Sequence, residues 1–199
     1  MSYDGENMNE LRERTLIELF GALDGVYGPN YECKYYPCHF DNQDCSLCYC
    51  PFYPCLISDL GDIKLSSEGN YVWSCENCFW IHEKENVEKV LYVLDSYPKQ
   101  RLVEENWLFF NRILQELLFG EEIGEILTSS YSLMPVMLNK NCEVVEKAEF
   151  LAVTLENFEI KQVRRISSIE DAKEEILIPL KSDDKMYGFV DGNYLVCYL

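Results

Sequence analysis

Apolar residues recur at three- to four-residue intervals from Asn9 to about Leu23, at Leu11, Leu16, Ile17, Leu19, Phe20 and Leu23. That spacing predicts an amphipathic helix, closed by Gly25 and Gly28-Pro29. An aromatic, loop-like stretch follows, and residues 59–71 read as a polar exposed loop with two glycines. Glu83 to Tyr97 sets Val87, Val90, Leu91 and Leu94 on one face, a second helix that Pro98 breaks. From Leu102 to Phe119 a third helix carries Val103, Trp107, Phe110, Ile113, Leu114, Leu117 and Leu118. Leu108, Phe109 and Phe119 widen its stripe beyond one face, as in a helix buried on several sides.

After Gly120 the pattern becomes β-prone. Strands are expected over Ser132–Leu138, Glu143–Leu155, Glu159–Ile166, Ile176–Leu180, Met186–Val190 and Asn193–Tyr198. Asn139-Lys140-Asn141 suits a turn between the first two, and Asp191-Gly192 a tight hairpin. Ser167 or Ser168 can cap a short helix reaching Glu175. The predicted class is α+β: a small cysteine-rich, metal-stabilised module with flanking helices, then an α+β domain with a mainly antiparallel sheet. The expected division is an N-terminal helix over 1–25, the module over 26–98 and the α+β domain, of open role, over 99–199.

Composition narrows the function classes. The 199 residues carry 17 basic and 35 acidic side chains, a formal net charge of −18. The halves 1–100 and 101–199 net −10 and −8, so neither hides a basic domain. Nucleic-acid binding draws on Lys and Arg against phosphates, and anionic membrane surfaces require the same cations. Both partner classes are therefore disfavoured. No apolar run approaches the length of a spanning helix, and Met1 to Glu6 lacks the basic and apolar regions of a secretory signal. A cytoplasmic, reducing location is expected, where cysteines serve metals more often than disulfides.

The ten cysteines are unevenly placed. Cys33, Cys38, Cys45, Cys48, Cys50, Cys55, Cys75 and Cys78 lie in one stretch, with both histidines, His39 and His82, within it or just beyond. Two C-x2-C pairs, Cys45/Cys48 and Cys75/Cys78, have the separation with which two thiolates grip one tetrahedral ion. Ten soft ligands exceed one zinc and suit two. One site is expected mainly from the two pairs, the other from Cys33, Cys38, Cys50, Cys55 and a histidine. Structural zinc is the favoured reading, because a loop-rich segment this short buries too little apolar surface alone. An iron–sulfur cluster is the alternative. Cys142 and Cys197 read as small buried hydrophobes.

Tyr36-Pro37-Cys38-His39, Cys45-Ser46-Leu47-Cys48-Tyr49-Cys50-Pro51 and Cys75-Glu76-Asn77-Cys78-Phe79-Trp80-Ile81-His82 resemble the cysteine-rich small domain family over about residues 26–97. That family is found chiefly in archaea and anaerobic bacteria. The resemblance implies metal binding through these Cys and His residues, without an established reaction. Association of some members with corrinoid metabolism gives the alternative its direction.

No catalytic motif stands out in the second half. Thr128-Ser129-Ser130-Tyr131 has no neighbouring base, and Arg164-Arg165 reads as a strand end answering nearby acids rather than an anion site. The expected function is a cytoplasmic, two-zinc protein-interaction or accessory module with a protein partner. The alternative is a metalloenzyme or iron–sulfur accessory protein in cofactor metabolism. Chelation is expected to unfold residues 30–82 and to leave the C-terminal sheet intact.

Overall fold

Helix α1 (Met8–Leu23) buries Leu11, Thr15, Leu19 and Ala22 along one face in the computed structural model, the series that one side of a helix presents. The structure describes residues 8–57, 60–119, 136–139, 149–156, 158–173, 175–180, 187–191 and 194–198. Ile17, counted by its spacing among the apolar positions, is 68% exposed. The backbone then runs through turns and bends from 24 to 57 without helix or strand.

Where residues 59–71 suggested a loop, the chain forms an antiparallel hairpin of β1 (Asp62–Leu65) and β2 (Tyr71–Ser74), pairing Asp62 with Ser74 and Leu65 with Tyr71. Its β1 strand is nearly all exposed, so polar residues suit it and no alternation betrays it. Gly69 closes the turn at φ +82°, a left-handed conformation open to glycine. Trp73 on β2 is buried.

A single 3-10 turn, Trp80–His82, leads into α2 (Lys84–Asp95), which buries Val87, Val90, Val93 and Leu94. The expected helix from Leu102 to Phe119 is divided in two: α3 (Lys99–Glu104) and α4 (Trp107–Phe119). The side chain of Asn106 accepts the Phe109 N–H at 3.2 Å, so Asn106 caps a fresh helix start. Helix α4 is tied to the cysteine-rich loops: the Trp107 indole donates to the Pro54 carbonyl at 2.8 Å, and Asn111 Nδ2 to that of Cys55 at 2.9 Å.

The remaining strands are β3 (Val136–Asn139), β4 (Phe150–Glu156), β5 (Glu159–Ile166), β6 (Ile176–Pro179), β7 (Tyr187–Asp191) and β8 (Tyr194–Tyr198). They form one six-stranded antiparallel sheet in the order β3-β8-β7-β6-β4-β5. The protein is α+β. Strand β3 pairs with β8, and the turn expected at 139–141 runs into residues outside the described ones. Between β5 and β6 the expected helix shrinks to a 3-10 turn, Ile169–Asp171, with Ser168 Oγ accepting the Glu170 N–H. So few residues do not repay helix nucleation. Arg164 and Arg165 both answer acids: Arg164 engages Glu175 through Nε, 2.8 Å from Oε1, and through Nη2, and Arg165 lies 3.5 Å from Glu149. Thr128 to Tyr131 and Cys142 fall outside the described residues, as does the side chain of Cys197.

The core is continuous past Pro98. Leu19, Phe52, Leu56, Trp73, Ile81, Leu94, Leu102 and Phe110 belong to the same buried cluster as Val153, Ile160, Ile176 and Ile178 of the sheet. Arg12 of α1 threads between two rings, 4.3 Å from the centre of Phe110 and 4.9 Å from that of Phe158. Burial brings its guanidinium down to about 10. Among the described residues no helix is long and apolar enough to cross a membrane.

Candidate metal centre

The cysteine loops are built from tight turns. Cys78 N donates to Cys75 O at 3.0 Å, closing the second C-x2-C turn, and Tyr53 N donates to Cys50 O at 3.2 Å. The peptide bonds Tyr36–Pro37 and Tyr53–Pro54, each just ahead of a cysteine, are cis. Asp44 Oδ1 accepts both the N–H and the hydroxyl of Ser46, and Ser46 Oγ accepts the Gly28 N–H at 2.9 Å. The Asp44 N–H donates to the His82 carbonyl at 2.8 Å, while the His82 ring returns a bond from Nδ1 to the Asp44 carbonyl, also 2.8 Å. That reciprocal pair clasps the loop carrying Cys45 to the turn carrying His82.

The loops enclose a cavity of about 120 Å³, lined by Cys38, Cys48, Cys50, Cys55, Cys75 and Cys78, both histidines, and the apolar side chains of Phe52, Leu60, Trp80, Ile81 and Leu114. Around it the thiols fall into two groups. Cys50, Cys55, Cys75 and Cys78 act on one another electrostatically. Burial, then this mutual repulsion, pushes the Cys50 and Cys75 thiols well above their usual range, and burial brings Cys55 to about 12. Cys50 and Cys75 are crowded by protein yet keep some accessible surface, which is the surface they offer to the cavity. In the second group, the Cys48 thiol is raised first by burial, then by Glu18, Cys45 and Cys38.

This grouping cuts across the expected division. The C-x2-C pairs Cys45/Cys48 and Cys75/Cys78 do not share a group; each joins cysteines of the loop between Cys38 and Cys55. The reason is topological. The β1–β2 hairpin returns Cys75 beside the Cys50–Cys55 turn, where the Tyr53 hydroxyl donates to the Trp73 carbonyl at 3.0 Å. Neither Cys33 nor Cys45 lines the cavity, and of the two it is Cys45 that acts on the Cys48 thiol.

His39 and His82 stack with ring centres 4.5 Å apart, and Phe79 meets His39 edge-on at 5.6 Å. Burial lowers both imidazoles, favouring the neutral form that binds metals. A carbonyl can only accept, so His82 Nδ1 carries the proton and Nε2 keeps a free lone pair. A carbonyl on the far nitrogen is the usual device that orients a ligating histidine.

Among the described residues no group of three or more His, Cys, Asp or Glu side chains has the closed arrangement of a metal site. The donors are gathered but not drawn onto a common centre. Their chemistry nevertheless fits a soft metal ion. Four largely buried thiols that resist ionisation need a nearby cation before they can become thiolates together. The indole Nε1 of Trp73 is buried without a hydrogen-bond partner, and this N–H is a neighbour that pulls the Cys55 thiol down against burial. A donor held beside a sulfur suits a sulfur that carries charge. No disulfide joins the described cysteines.

Sequence reasoning found the ten Cys and His candidates but missed Gln43, Asp44, Trp73 and Glu18, which surround them. Asp44 had a local signal, a carboxylate two residues ahead of a serine that suits an Asx turn. Glu18 Oε2 accepts the Tyr49 N–H at 2.7 Å, and burial raises its carboxyl to about 7. Nothing in the pattern of α1 marks it.

The sequence model of the cysteine-rich small domain matches residues 25–103. An uncharacterized protein of Methanocaldococcus jannaschii is 42% identical over 80 residues, 40% of this chain and 67% of its own length. A probable cobalt-factor III C(17)-methyltransferase of Methanothermobacter thermautotrophicus is 49% identical over 68 residues, 34% of this chain. The chain spans 19% of that second relative, so the likeness is to one segment of it. No solved structure matches the chain.

Proposed function

Because this chain belongs to the cysteine-rich small domain family through residues 25–103, we propose that it is a metal-binding accessory protein whose module takes two zinc ions. Cys50, Cys55, Cys75 and Cys78 would hold the first as a closed four-thiolate site. Cys38, Cys45, Cys48 and the Nε2 of His82 would hold the second. Separation of the thiols into two groups around one cavity carries this reading. Zinc would supply cross-linking rather than chemistry: it neutralises sulfurs that burial otherwise keeps protonated, and it fixes loops that have no helix or strand of their own. Cys33 is left out of both sites.

The loops expose Tyr27, Tyr31, Tyr35 and Phe79. These side chains supply a surface for a protein partner, in a cytoplasmic protein too acidic for nucleic acid. A second reading, an accessory role beside corrinoid chemistry, is favoured by the likeness to the probable cobalt-factor III C(17)-methyltransferase. An iron–sulfur centre would then take the four-thiolate position.

Elemental analysis of native protein purified without oxygen separates the two. About two zinc ions per chain in a colourless protein supports the first reading. A brown protein containing iron and sulfide would replace it with the second.

A further inference from the structure

Gln43 is fully buried in the loop between Cys38 and Cys45. Its Oε1 accepts the backbone N–H of His39 at 2.7 Å and that of Phe40 at 3.3 Å. Two N–H donors on one atom fix which end of the carboxamide is oxygen. The other end, Nε2, therefore faces sulfur, 3.1 Å from Cys38 Sγ and 3.7 Å from Cys45 Sγ. The Gln43 N–H bonds the Phe40 carbonyl at 3.3 Å, so the backbone is held as well as the side chain.

A buried carboxamide with all this commitment is costly unless its protons meet acceptors. Neutral thiols are weak acceptors; thiolates are strong ones. We propose that Gln43 is the positioning residue of the second metal site: its two carboxamide protons hold the sulfurs of Cys38 and Cys45 as a preset pair of ligands. Sulfurs brought to one ion repel each other, and N–H donors behind them draw off charge and aim their lone pairs forward. Partners behind the ligands typically govern affinity in this way. The same residue fixes His39, the imidazole stacked on His82, through its backbone N–H. One side chain thus links both sulfurs to the histidine pair.

The proposal rests on the two-metal reading, and the test separates their failures. The full chain, stripped of metal without oxygen, is titrated with cobalt(II) as wild type and as Gln43→Glu. The variant keeps the acceptor toward His39 and Phe40 and loses the N–H donors. We expect two cobalt ions in the wild type. In the variant the second should bind about 10- to 100-fold more weakly, with a shifted sulfur-to-cobalt absorption, and the first should be unchanged. Two ions bound by the variant with wild-type affinity and spectrum would overturn the role of Gln43 alone. A wild type that binds one ion removes the second site and this proposal with it; one that binds none overturns the metal reading too. Should the variant fail to fold, the wild type loaded with NMR-active cadmium decides the matter. A scalar coupling from a Gln43 carboxamide proton through sulfur to the metal supports the proposal, and its absence overturns it.

Discussion

Trp73 shows how little room the first thiol group leaves. A Cβ added at Gly61 would lie 2.7 Å from the Ser74 carbonyl oxygen and 2.7 Å from the Trp73 ring. The first of these is backbone and cannot swing aside. Gly61→Ala should therefore cost about 1–3 kcal/mol by overpacking, measured as a lower denaturant midpoint. Because the displaced ring carries the N–H beside Cys55, metal retention should fall with it. An unchanged midpoint would mean that the hairpin shifts freely over the cavity. The same scale explains what the sequence could and could not show of the site. Cysteine and histidine have few reasons to cluster, so Cys38, Cys48, Cys75 and His82 were legible by type and spacing alone. Gln43 and Trp73 act through where their side chains point, and residue type carries no such direction. Glycine 61 is silent in the same way, since its role lies in what stands opposite it.

Among the elements, legibility followed burial contrast. Helix α2 has one apolar and one polar side and was readable to within two residues at each end. Strand β1 has almost no buried side, so its sequence is indistinguishable from that of a loop. The interruption between α3 and α4 turns on one hydrogen bond that Asn106 accepts from the Phe109 N–H, against a hydrophobic stripe that runs past it unbroken. Sheet order depends on pairings distant in sequence, which a local pattern does not encode; β3 beside β8 is an example. Strands β5 and β6 are joined by the buried Glu175, whose carboxyl Arg164 holds below its usual range. A depressed carboxyl contributes stability that is fully present above the ordinary carboxylate range and is lost as pH falls through the depressed value. Urea midpoints at neutral and acid pH should therefore differ more for the wild type than for Glu175→Gln. Equal differences would place the acid sensitivity elsewhere.

For the molecule as a whole, the continuity of the core changes what metal removal should do. The sequence suggested a module that unfolds alone while the sheet survives. Phe52, Leu56, Trp73 and Ile81 instead pack in one cluster with Val153, Ile160, Ile176 and Ile178. Loosening the loops strips the sheet of part of its cover. Strong chelation should open residues 33–57 and 75–82 to protease first and also lower the thermal midpoint of the sheet, followed by far-ultraviolet circular dichroism. A sheet whose midpoint is indifferent to chelator would show that the shared cluster carries little stability. The seating of α1 adds a consequence for inheritance. The family match begins at residue 25, yet Leu11, Leu19 and Ala22 roof part of its core and Arg12 is wedged between Phe110 and Phe158. The heritable unit and the folding unit are thus different lengths of chain. A protein that borrows only the cysteine-rich segment must bring its own roof, and the graft is portable only into hosts that have one to offer.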